Sequence, residues 1–129
     1  MTMRIPYEME FRSSGGELQV VIHGNDRHAD KVLACWQEIA IQARRRDAVR
    51  LLAISHVVGE PMPMDKIPAF MASMAGLGLE DVRVAYVDMQ GFKTPLMETA
   101  EIMASEQGFN ARVFDNVVAA EMWLRHGDD

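Results

Sequence analysis

The chain has one cysteine, Cys35, in 129 residues. A single thiol can form neither an internal disulfide nor, alone, a metal cluster, which fits a reducing compartment. Long hydrophobic runs are missing too. The start, Met1-Thr2-Met3-Arg4-Ile5-Pro6, contains no apolar core of signal-peptide length. The uncharged stretch from Pro68 to Leu79 is too short to cross a bilayer and is interrupted by Gly76 and Gly78. We therefore expect a soluble, cytoplasmic chain with no membrane span. Nor is there an excess of positive charge: 13 Lys and Arg face 19 Asp and Glu, a formal net charge of −6. Nucleic-acid binding needs a basic surface to displace counterions, so no nucleic-acid partner is expected. The run Arg44-Arg45-Arg46, with Arg50 nearby, is the local exception. It falls where a helix should end, and cations there complement the exposed carbonyls.

Signatures of chemistry are equally scarce. No Gly-x-Ser-x-Gly elbow is present. Ser55 and His56 are adjacent on an expected strand, so their side chains point to opposite faces and make no nucleophile pair. Gly76-Leu77-Gly78 follows a helix and precedes a strand, the reverse of a phosphate cradle, and lacks the third glycine. No cofactor is expected.

What is present is a core and a rhythm. Apolar residues make up 49% of the chain, enough to fill one domain spanning residues 1–129. Tyr7 to Arg12 alternates, placing Tyr7, Met9 and Phe11 on one face of a strand. Ser13-Ser14-Gly15-Gly16 supplies a turn, and Glu17 to His23 a second strand, so the two form an antiparallel hairpin. From Asp26 to Arg46 the period lengthens: Val32, Trp36, Ile39, Ala40 and Ala43 share one helical stripe, with Asn25 or Asp26 as N-cap. Cys35 lies at the edge of that stripe and is expected to be inert.

Leu51 to Val58 is nearly continuously apolar, as suits a central strand covered on both faces. Gly59-Glu60-Pro61-Met62-Pro63 ends it. Asp65 should cap a helix over Lys66 to Ala75 that packs Ile67, Phe70, Met71 and Met74. Val82 to Asp88 reads as a fourth strand, with Val82, Val84, Tyr86 and Asp88 on one face. Thr94-Pro95 opens a third helix with Leu96, Ala100 and Met103 inward, and Gly108 follows its end. Ala111 to Phe114 is a short fifth strand, and Asp115 or Asn116 caps a last helix bearing Ala120, Trp123 and Leu124. The expected fold is α/β: a single mixed, mostly parallel five-stranded sheet with an N-terminal antiparallel hairpin and about four helices, in the order β-β-α-β-α-β-α-β-α.

The opening hairpin, long first helix, buried central strand and tail resemble the STAS-like domains related to anti-sigma-factor antagonists. The likeness is greatest to their small bacterial SpoIIAA-like branch. Its most specific residues are Val82-Arg83-Val84-Ala85-Tyr86-Val87, Ala111-Arg112-Val113-Phe114-Asp115 and Ala119-Ala120-Glu121-Met122-Trp123-Leu124. In these, Trp123-Leu124 anchors a helix and Asp115 caps it, which are structural roles. The resemblance implies a noncatalytic binding or regulatory module. The phosphoswitch members carry an Asp-Ser-Ser-Gly type loop after the central strand. Here that stretch is Ser55-His56-Val57-Val58-Gly59-Glu60-Pro61, without the tandem serine or the aspartate. Ser55 is not carried over as a phosphosite.

Three sites follow. Met62, Met64, Met71 and Met74, beside Phe70, cluster around the second helix. Methionine packs irregular cores and also lines adaptable binding surfaces, and in the family this region adjoins the recognition surface. The leading expectation is recognition through the loop after the third strand and this Met-rich helix, with a homo-oligomer or a protein as partner. The alternative is a carrier of a small apolar ligand in a pocket under the helix. A third, weaker alternative is a metal- or acid/base-dependent enzyme using His23, His56 and Asp88, which stand at strand ends where ligands of parallel sheets bind.

Overall fold

The structure, a computed structural model, describes residues 7–60, 62–90 and 95–127. Five strands form one sheet: β1 (Glu8–Ser14), β2 (Glu17–His23), β3 (Arg50–Ser55), β4 (Arg83–Asp88) and β5 (Asn110–Phe114). They lie side by side in chain order. β1 pairs antiparallel with β2 across Gly15 and Gly16, both at positive φ, and every later pairing is parallel. The expected architecture is therefore the observed one.

Parallel neighbours need crossovers, and these are α1 (Ala29–Arg45), α2 (Ile67–Met74) and α3 (Pro95–Glu106), with α4 (Val117–His126) after the last strand. Because the sheet grows one strand at a time in one direction, right-handed crossovers put α1, α2 and α3 on the same face. One cluster joins that face to Leu18, Val20 and Ile22 of β2, Leu51 and Ala53 of β3, and Val84 of β4. The opposite face carries Leu52, Ile54, Ala85 and Val87 under Ala120, Trp123 and Leu124 of α4. β3 is covered on both sides, which is why Leu51 to Ser55 is buried throughout and shows no alternation.

Local chemistry sets several boundaries away from their expected places. α1 starts at Ala29, with His28 as N-cap making no side-chain cap bond. Asp26 instead turns onto the His28 N–H at 2.8 Å, an Asx-type turn that keeps residues 24–28 out of the helix. A 3₁₀ turn, Met64–Lys66, precedes α2, so Lys66 rather than Asp65 occupies its N-cap. The inner side of α3 is Met97, Ala100 and Ala104, about one position round from the expected stripe. Thr94 and the side chain of Leu96 lie outside the described residues. Asn116, not Asp115, caps α4: its Oδ1 accepts the Ala119 N–H at 2.8 Å. Among the described residues no helix is long and apolar enough to cross a membrane.

Candidate functional site

Between the sheet and its three-helix face lies a cavity of about 220 Å³. Its walls come from every layer of that side: Ile22 from β2, Trp36 from α1, Met74 from α2, Ala104 from α3, Val84 and Tyr86 from β4. Of the five residues expected around the second helix, four (Met62, Phe70, Met71 and Met74) line it. Met64 does not; it is 50% exposed. The proline-stiffened loop thus sends one methionine inward and the next out.

The wall is almost wholly apolar except at the C-terminal ends of β3 and β4 and where Glu101 of α3 and Arg112 of β5 border it. Ser55 and Asp88 are register partners on the cavity face, each only 1% exposed. Arg27, from the loop between β2 and α1, reaches Asp88 with Nη1 to Oδ2 at 3.3 Å and Nη2 to Oδ1 at 3.4 Å, while its Nε donates to the Val57 carbonyl at 3.2 Å. The Asp88 carboxylate also accepts the Gln90 N–H at 2.9 Å. Its charge and its acceptor sites are largely satisfied inside the protein. The Ser55 hydroxyl accepts the Val57 N–H at 3.2 Å and hydrogen-bonds to the phenol of Tyr86. Burial raises that phenol above its ordinary value, so it stays protonated.

Two further groups frame this end. The Tyr7 hydroxyl donates to the Asp26 carbonyl, and burial pushes the phenol up to about 12. The Tyr7 ring packs so closely on Gly24 that a Cβ there would sit 2.2 Å from it. Glycine is needed at that point for the ring to close the cavity wall. Cys35 also lines the cavity, and desolvation pushes its thiol up to about 12, far from a reactive thiolate.

His23, His56 and Asp88 do not form one site. His23 and His56 stack with ring centroids 4.7 Å apart and planes 6° apart. Parallel stacked imidazoles aim their nitrogen lone pairs along separate planes, a poor arrangement for holding one ion. Because side chains alternate along a strand, His23 faces away from the cavity that its neighbour Ile22 lines, whereas Asp88 faces into it. Among the described residues no group of three His, Cys, Asp or Glu side chains is placed to hold a metal ion.

Arg27, Tyr86, Tyr7 and Trp36 are the site residues that sequence reasoning did not single out. A signal existed for two of them. Arg27 stands just past the C-terminal end of β2, where parallel sheets bind ligands. Tyr86 shares the alternating face of Asp88. Comparison with protein-family models and with curated proteins finds no match to this chain.

Proposed function

We propose that the chain is a noncatalytic binding module of the STAS-like kind, acting in the cytoplasm, that takes up one small apolar ligand between its sheet and α2. The observation that carries this is the cavity lined by Phe70, Met71 and Met74. Methionine side chains adapt to an occupant without strain and make favourable sulfur–aromatic contacts. An apolar void of roughly 150 Å³ is already enough to hold a benzene-sized guest. The acids, bases and thiol around the cavity are paired, neutral or shielded, which suits holding a molecule more than transforming it. Equilibrium dialysis with naphthalene tests the reading: saturable uptake of one molecule per chain is expected, and it should weaken in Ala100→Phe, which puts a ring into the cavity. Absence of saturable uptake by the wild-type chain, or uptake indifferent to the added ring, would overturn it.

A second reading, a surface for a second copy or a protein partner, is favoured by Val58, Met64 and Met89. These exposed apolar side chains all follow the C-terminal ends of β3 and β4.

A further inference from the structure

Along the cavity face of β4, polarity falls off in one direction. Asp88 lies at the strand's C-terminal end, Tyr86 one pleat deeper, and Val84 beyond it beside Met74 and Leu79. Any occupant therefore meets hydrogen-bonding groups at one end and hydrocarbon along the rest of its length.

The charged groups that border the cavity each have partners within the chain. Arg27 is held by Asp88 and by the Val57 carbonyl. Glu101, which also borders the cavity, accepts the Val113 N–H. The guanidinium of Arg112 lies over the rings of Phe114 and Trp123, each at 5.8 Å from the centroid, and both rings belong to the cluster under α4 on the other side of the sheet. An anionic guest would thus enter a desolvated space whose described cations already have partners. A cationic guest would meet carboxylates, Asp88 and Glu101, that already accept from Arg27 and the Val113 N–H. The penalty is heavy for a buried charge of either sign. The Tyr86–Ser55 hydroxyl pair, in contrast, can exchange a hydrogen bond with a neutral group. Size and wall chemistry narrow the guest further. A cavity of about 220 Å³ exceeds the roughly 150 Å³ that accommodates benzene. Trp36 and Tyr86, with ring centroids 6.1 Å apart, present flat π surfaces near Phe70.

Resting on the binding reading above, we infer that the ligand is an uncharged one- or two-ring aromatic molecule carrying a single hydrogen-bonding group. That group meets the Tyr86–Ser55 hydroxyls, and the rings lie toward Met74.

Three probes of one shape test this by equilibrium dialysis: naphthalene, 2-naphthol and 2-naphthoate. The wild-type chain should hold naphthol about fivefold more tightly than naphthalene, the worth of one neutral hydrogen bond. It should hold naphthoate at least about a hundredfold more weakly than naphthol, because the carboxylate would be buried without a counter-charge. In Tyr86→Phe the preference for naphthol over naphthalene should shrink toward unity, a ratio that cancels whatever the substitution does to the wall both probes share. Naphthoate binding as tightly as naphthol would overturn the inference and leave the cavity reading standing, as would an unchanged naphthol preference in a folded Tyr86→Phe chain. If naphthalene and naphthol both fail to bind at about 0.1 mM, the cavity reading falls as well. The wild-type comparison stands even if the variant fails to fold.

Discussion

Trp123 and Cys35 show how far a single side chain's surroundings decide its behaviour. Trp123 is 6% exposed, packs on Phe114 with ring centroids 5.8 Å apart, and lies under the guanidinium of Arg83 at 5.4 Å. Removing the indole empties the centre of the cluster that attaches α4 to the sheet. Trp123→Ala should therefore lose about 3–5 kcal/mol in chemical denaturation; a loss below about 1 kcal/mol would mean that the neighbours collapse into the space. Cys35 makes its prediction through protons. Its folded thiol is raised to about 12 from an ordinary value of 9.0 because burial disfavours the thiolate. In the unfolded chain it ionises first, so the folded state binds more protons above that lower value. Its contribution is complete below about pH 9 and declines as the pH rises towards 12, with a limiting slope of about 1.4 kcal/mol per pH unit. Urea titrations between pH 8 and about 10.5 should show a shallower decline for Cys35→Ala than for the wild type. Equal slopes would place the thiol in contact with water.

At the scale of elements, helix ends separate the two ways a residue can be read. Asn116 has extended backbone (φ −148, ψ 152) and its side chain accepts the Ala119 N–H, so it satisfies a backbone donor that α4 leaves open. Asn116→Ala should cost about 1 kcal/mol, while Asp115→Ala, whose carboxylate accepts from the Asn116 side-chain amide and caps no backbone N–H among the described residues, should cost less than half of that. A reversed ranking in thermal denaturation would return the cap to Asp115. The elements themselves were legible because period and punctuation agree: β1 and β4 from alternation, β3 from its unbroken apolar run, α1 from its stripe, the stop of α3 from Gly108 at φ 89. The caps were legible only to within a residue or two, since neighbouring polar residues such as Asp115 and Asn116 compete on equal chemical terms until the chain path is fixed. The site was legible in part for a related reason. Met62, Phe70, Met71 and Met74 belong to one short segment, so their clustering is visible in one dimension. Arg27 and Asp88 are 61 positions apart, and only the adjacency of β2, β3 and β4 brings them together. His23 and His56 reached the same neighbourhood by the same logic, yet the alternation of strand side chains put them on the far face from Asp88.

The whole molecule has an unequal surface. At the C-terminal end of the sheet Val58, Met64 and Met89 are 44%, 50% and 41% exposed, whereas the free face of the β1–β2 hairpin shows Glu8, Glu10 and Arg12. Val49, Ile102, Val118 and Met122 are exposed elsewhere, but the connections that follow β3 and β4 carry three such side chains, and apolar surface there favours association. We therefore expect a homodimer at tens of micromolar, with Met64 at its centre. Met62 has a different task, since it lines the cavity, and the two methionines should separate cleanly by substitution. Met64→Glu places a charge on an exposed turn, so the dimer should dissociate in light scattering while the melting temperature, measured at matched ligand-free conditions, changes little. Met62→Glu brings an unpaired carboxylate to an apolar wall, so it should weaken naphthalene uptake and lower stability by about 1–3 kcal/mol with the dimer retained. A wild-type monomer at those concentrations would end self-association and leave this end of the sheet to the cavity alone. A dimer unaffected by Met64→Glu would move the contact elsewhere, with the exposed Val118 and Met122 of α4, at 70% and 60%, the next surface to charge.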